Sequence, residues 1–218
     1  MLVQDIMTKQ VIAIDPDMPI KDVQALMEQR NIRHFPIVRA APAVRAAGTK
    51  TELIGIVSDR DIRTVGSLHP DARPGVTLKD PVKSIMIEKI VTAHPLDPVE
   101  ESARVLRENK IGAMPVLDEG ELVGIVTGID FLEALVRMTG VYEAATRLEV
   151  EVEDRPGTLS ELASAITARG VSIASVLSTR KDAETISFLL RVGTIDGRGL
   201  ATALKEEGFH VVWPPDKP

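Results

Sequence analysis

The sequence contains no cysteine, which excludes disulfides, thiolate metal sites and a cysteine nucleophile and agrees with a cytoplasmic protein. Aromatic residues are scarce, 3% of the 218 residues with one Trp and one Tyr. Cores must therefore be built from Val, Ile, Leu, Ala and Met, and a hydrophobic content of 44% supplies them. A cationic excess is missing too: the net charge of −6 argues against a dedicated nucleic-acid binder, whose surface is normally basic. No apolar run approaches the ~18 residues of a membrane span. The opening stretch MLVQDIMTKQ has Asp5 and no apolar core, so neither a secretory signal nor a membrane partner is expected. Amides are few, two Asn (Asn31, Asn109) and four Gln, and charges many, a balance that points toward thermophilic proteins. Catalytic signatures are absent as well. There is no G-x-S-x-G, no P-loop and no Gly-rich dinucleotide motif after a strand, so no enzyme activity is expected and no cofactor is required. His69, His94 and His210 have no partner at ligand spacing, so no metal site is expected.

What the sequence does have is an internal repeat. Val3, Ile6, Met7, Pro16, Pro19, Ile32 and Pro36 recur at an offset of 79 as Val82, Ile85, Met86, Pro95, Pro98, Ile111 and Pro115. Further on, ELIGIVSDRD (52–61) matches ELVGIVTGID (121–130) at an offset of 69, so the first copy carries about ten extra residues, within RAAPAVRAAGTK (39–50). Each copy reads alike. A short apolar strand, Val11–Ile14 or Ile90–Ala93, leads through a proline turn into a helix. Ile20, Val23, Leu26 and Met27 fall on one face of the first such helix; Val99, Ala103 and Leu106 do the same in the second. Two apolar strands follow, FPIV (35–38) with LIGIV (53–57) and MPVL (114–117) with LVGIV (122–126), DEGE (118–121) forming the second hairpin. A last helix opens after Asp61 or Asp130; in the second copy Phe131, Leu132, Leu135 and Val136 mark its apolar face.

The remainder has a different pattern. After Gly140–Thr146, Leu148, Val150 and Val152 alternate with Glu149, Glu151 and Glu153, as in a half-exposed strand. In DRPGTL (154–159), Thr158 and Glu161 have the spacing of a capping box. Leu159, Leu162, Ala163 and Ile166 form a buried helix face that ends at Gly170. Strands are predicted at 171–179 and 184–192, a helix at 197–207 and a last strand at Val211–Trp213, giving the order βαββαβ of a ferredoxin-like fold.

A β-α-β-β-α unit with G-I-V-[ST]-x-x-D, present as GIVSDRD (55–61) and GIVTGID (124–130), resembles the CBS domain, whose tandem copies form a pseudo-two-fold module. D-R-P-G-x-L after the first strand of a βαββαβ unit resembles the ACT domain. The expected division is 1–70 and 77–139 for the CBS pair and 146–214 for the ACT domain, an α/β (α+β) chain throughout. This order over the whole chain resembles the AcuB-type acetoin-utilisation proteins.

The resemblance implies that the CBS pair holds an adenosine ligand: AMP, ADP, ATP or S-adenosylmethionine. Ser58 with Asp61, and Thr127 with Asp130, would meet it, since a carboxylate accepts two hydrogen bonds from a ribose diol. The same residues would equally serve as plain helix caps. Arg33 and His34, before Pro36, and Arg60, beside Asp61, would point positive charge at phosphate; Arg63 is a further cation there. Gly112 and Ala113 occupy the positions of Arg33 and His34 in the second copy, so the clefts are unequal. In ACT domains the loop formed here by Asp154, Arg155, Pro156, Gly157, Thr158 and Leu159 meets an amino-acid ligand at an interface between two copies, together with the turn at Ser172, where ligand-binding members often have Asn. A regulatory homodimer with an unidentified protein partner is the implied assembly; a dimerisation scaffold is the alternative, and an enzyme of acetoin metabolism a third reading.

Overall fold

The computed structural model describes residues 1–40, 51–67, 69–70 and 73–215. Of the stretch 39–50, which holds the first copy's extra residues, 41–50 lies outside the described residues. The chain forms two compact units, Met1–Leu132 and Glu133–Pro218.

In the first unit the elements are α1 (Val3–Ile6), α2 (Ile20–Arg30), β1 (His34–Ala40), β2 (Thr51–Ser58), α3 (Asp59–Thr64), a 3-10 turn (Val82–Ser84), α4 (Val99–Glu108), β3 (Ala113–Asp118) and β4 (Glu121–Thr127), followed by α5 (Gly128–Met138), whose first five residues belong to this unit. β1 pairs antiparallel with β2 and β3 with β4. The predicted leading strands Val11–Ile14 and Ile90–Ala93 shrink to single parallel bridges, Ile14 to Ile37 and Ala93 to Val116. Proline explains this. Ile14 donates to the Pro36 carbonyl and accepts from Val38, at 3.0 Å each. Continuing the ladder on one side of this pair would need an N–H from Pro36, and on the other an N–H from Pro16, and neither exists. Pro115 and Pro95 limit the second copy in the same way.

The two copies exchange their leading segments. Val3 donates to the carbonyl of Asp97 (3.0 Å) and Gln4 to that of Pro95 (2.9 Å), in the second copy's proline turn. Reciprocally, Val82 donates to Met18 (2.8 Å) and Lys83 to Pro16 (3.0 Å) in the first. Thr8 bridges Ile125, and Ile87 bridges Ile56. Val82 and Ile85 thus lie in the first copy's core with Ile20, Phe35, Ile37 and Val57. The exchange explains the glycine of the G-I-V signature. A Cβ on Gly124 would stand 2.5 Å from Met7 Sδ, and one on Gly55 2.7 Å from Met86 Sδ, so the exchanged methionine lies where a side chain would be. Along α5 the buried positions are Phe131 and Ala134; Leu132 and Leu135, expected on the apolar face, are exposed. The helical period is present, but the buried stripe runs through Phe131 and Ala134.

In the second unit β5 (Thr146–Glu153), α6 (Thr158–Thr167), β6 (Ile173–Arg180), β7 (Thr185–Val192), α7 (Gly197–Glu206) and β8 (His210–Trp213) give an antiparallel sheet in the order β6-β7-β5-β8, the ferredoxin-like arrangement. Leu148, Val150, Phe188 and Leu190 of the sheet pack with Leu162 and Ile166 of α6 and with Leu200 and Leu204 of α7. Thr158 and Glu161 do not form the expected capping box. Gly157 is the N-cap, at φ 94°, with no side-chain cap. The Thr158 hydroxyl turns back to donate to the carbonyls of Glu153 (3.0 Å) and Arg155 (2.9 Å). Glu161 accepts two bonds from Arg155, at 2.9 and 2.7 Å; a charged, two-pronged donor outcompetes a backbone amide for the carboxylate.

Candidate functional site

Two clefts lie in the first unit, and each combines the G-I-V signature of one copy with the residues before and after the first helix of the other. In the first, of about 460 Å³, Ser58 and Asp61 face Ile90, Val91, Ile111 and Ala113. In the second, of about 660 Å³, Thr127 and Asp130 face Val11, Ile12, Ile32 and Pro36. Apolar side chains in each cleft could hold a purine-sized ring, and the signature acid lines the same cleft.

Both acids are held by their own helix starts. The amide and hydroxyl of Ser58 donate to Asp61 Oδ2 at 2.7 and 2.6 Å, and the Asp61 amide returns a long bond of 3.4 Å to the hydroxyl. Thr127 and Asp130 repeat this at 2.8, 2.7 and 3.4 Å. Among the described residues all the donors converge on Oδ2, so Oδ1 of each carboxylate keeps its lone pairs. The capping role and a diol-binding role are therefore compatible, one oxygen for each.

The cations divide in a way the sequence left open. Arg33 and His34 lie in the wall opposite Thr127 and Asp130. Arg60 stays with Asp61, where His34 forms part of the wall as well. Arg63 lines neither cleft; it is paired with Asp59 and borders a separate depression beside α2. Lys89 and Lys110 of the first cleft, and Gln10 and Asn31 of the second, escaped the sequence reading. The repeat register held the signal, since Gln10 and Asn31 fall on Lys89 and Lys110 at the offset of 79.

His34 is half-buried, with its ring over Gly112, where a Cβ would meet Nε2 at 2.6 Å. Burial pushes its pKa below the ordinary value of 6.5, against the opposing pull of Asp59 and Asp61 and with a smaller push from Arg33. The fold thus favours the neutral ring. Its contribution to stability is present above pH 6.5 and is lost as pH falls through the lowered folded value. The thermal midpoint of the wild type is expected to fall more between pH 7.5 and about pH 5 than that of His34→Gln. Parallel pH profiles for the two proteins would remove the assignment.

In the second unit the DRPG loop is already engaged internally. Asp154 pairs with Arg180, and Arg155 with Glu161 and Glu153. Pro156 and Leu159 are exposed. The Ser172 carbonyl accepts from Gly193 at 2.9 Å, on the opposite side of α6 from Gly157 in sequence. Among the described residues no group of His, Asp and Glu could hold a metal ion, and no helix is long and apolar enough to cross a membrane.

Comparison with known proteins finds two domain families in the chain. The CBS domain family model matches residues 3–67 and 82–137, and the ACT domain model residues 146–209. A CBS domain-containing protein of Bacillus subtilis, YhcV, is 31% identical over 126 residues, 57% of this chain and 78% of its own length. A solved Vibrio cholerae protein that carries the acetoin-utilization name AcuB is 29% identical at a TM-score of 0.52, over 67% of this chain and 98% of that one. The CBS domain pair of protein MJ0100, solved with 5′-methylthioadenosine and S-adenosyl-L-methionine, is 27% identical at a TM-score of 0.51, over 63% of this chain and 97% of that one.

Proposed function

Because the chain belongs to the CBS-domain family and carries an ACT domain after its CBS pair, we propose that it is a regulatory protein that binds an adenosine-containing ligand in the pair, with no catalytic role of its own. The observation that carries this reading is the construction of the clefts: each sets a signature acid with an uncommitted Oδ1 against an apolar wall from the other copy. The ribose diol would bond to Asp61 or Asp130, and the base would lie on the Ile and Val side chains. The complex of the MJ0100 pair with two adenosyl compounds supports this class of ligand. An amino acid at the DRPG loop, in a homodimer, is the second part of the proposal. Gly157 leaves the first turn of α6 without a side-chain cap, so its amides suit a carboxylate. A setting in acetoin metabolism, in the cytoplasm, is supported by the AcuB likeness and by the absence of cysteine.

A scaffold whose clefts are vestigial is the competing reading, favoured by the full use of Ser58 and Thr127 in capping. Thermal-shift titration of the full chain with AMP, ADP, ATP, S-adenosylmethionine and each amino acid separates the two. A rise in midpoint that grows with nucleotide concentration is expected. No shift with any adenosine compound would leave the scaffold, and turnover of acetoin by the purified chain would overturn the non-catalytic assignment.

A further inference from the structure

The repeat makes the two clefts comparable position by position, and three positions at their rims differ in a single direction. Lys89 of the first cleft corresponds to Gln10 of the second, Lys110 to Asn31, and Arg60 to Ile129. The first cleft therefore gathers three cations from three separate segments: the start of α3, the stretch before Ile90, and the turn that ends α4. The second offers two amides and an isoleucine at the same places. Among the described residues, Arg60, Lys89 and Lys110 form no ion pair. The acids that line the cleft with them are Asp61, tied into its capping box, and Asp59, paired with Arg63. The second cleft holds Arg33 against Asp130, and His34 borders both.

The backbone is alike at two of these positions, which end α2 and α4. Asn31 and Lys110 both adopt left-handed conformations, at φ 53° and 54°. Asn accepts this region readily, whereas a long side chain such as Lys does so at a cost. The conformation closes the helix-ending turn in both copies, with Ile32 donating to Met27 and Ile111 to Leu106, and at 110 it brings a lysine to the cleft rim.

From this difference, and resting on the adenosine reading above, we infer that the Ser58/Asp61 cleft is the one that takes a polyphosphorylated adenosine compound, with Arg60, Lys89 and Lys110 receiving the phosphate tail. The Thr127/Asp130 cleft, larger and lined at its rim by Gln10, Asn31 and Ile129, takes an adenosyl compound without a polyphosphate. Phosphate oxygens gain most from charge-assisted bonds, and several cations of separate origin can surround a chain of phosphates that one cannot.

The test writes the second cleft's residues into the first. ATP and adenosine are titrated calorimetrically into the full-length wild type and into the double variant Lys89→Gln/Lys110→Asn, at low and at near-physiological salt. Both sites are exposed and Asn suits the left-handed position, so the variant is expected to melt as the wild type does. ATP affinity is expected to fall by about tenfold or more and to lose most of its salt dependence, with adenosine affinity unchanged within about twofold. ATP binding that survives in the double variant, or ATP and adenosine weakened alike, would overturn the polyphosphate assignment while leaving the adenosine reading intact. Failure of the wild type to bind either compound would remove both.

Discussion

Deleting residues 1–8 is expected to destabilise the second CBS copy by at least about 4 kcal/mol, although the residues belong to the first. The segment contributes Val3, fully buried, whose removal from water is worth about 1.5–3 kcal/mol. It also forms five backbone hydrogen bonds with the second copy: Val3 to Asp97, Gln4 to Pro95, a reciprocal pair between Thr8 and Ile125, and Val99 to Met1. Each contributes about 0.5–1.5 kcal/mol net, and the groups left behind gain no new protein partner. Loss of Met7 also empties the space over Gly124. The combined effect approaches the whole stability of an ordinary domain. Urea denaturation followed by hydrogen exchange is the appropriate measurement. Amides of β3 and β4 should lose protection first, while those of β1 and β2 persist, because Val82 and Ile85 still close the first core. An unchanged midpoint, or loss of protection confined to β1 and β2, would contradict the exchanged arrangement.

The second large effect concerns ligand. Asp61→Ala and Asp130→Ala are each expected to weaken the adenosine compound of their own cleft by about 1–3 kcal/mol, roughly 5- to 150-fold, the range for losing hydrogen bonds to a charged acceptor. Each also removes a helix cap, at about 1 kcal/mol of stability. Ser58→Ala separates the two consequences: it deletes the hydroxyl that bonds Asp61 Oδ2 but keeps the carboxylate and its second oxygen. It should therefore cost stability with a much smaller loss of affinity. Calorimetric titration of the three variants decides the matter. If the aspartate variants bind as tightly as the wild type, the acids are caps alone.

Much of this was legible before any coordinates, and what was hidden has identifiable causes. The offset of 79 revealed two copies because folding constrains side chains at Val3, Met7, Pro16 and Pro36 and their counterparts. The exchange of leading segments stayed hidden because backbone bonds such as Val3 to Asp97 leave no mark on side-chain identity. Arg33 and His34 were recognised as cleft cations, yet the acid they face could not be known, since periodicity reports which face is buried and not which copy covers it. Lys89 and Lys110 match Gln10 and Asn31 in the register but lie outside the G-I-V signature, so the motif alone does not mark them. At Thr158 the capping-box spacing misled because Arg155, six residues before Glu161, competes for the same carboxylate.

The single-residue bridges have a consequence for solubility. FPIV with LIGIV, and MPVL with LVGIV, are β-prone, nearly uncharged hairpins of the kind that recruit strands from other molecules. Yet neither hairpin presents a continuous open edge. Ile14 covers the outer side of β1 and Ile87 that of β2; Ala93 and Thr8 do the same for β3 and β4. Pro16 and Pro36, and Pro95 and Pro115, stop the Ile14 and Ala93 contacts from lengthening into ladders that an incoming strand could extend. The prolines that shorten the predicted strands thereby act as gatekeepers against aggregation, protecting by shape and missing donors what other sheets protect with charge.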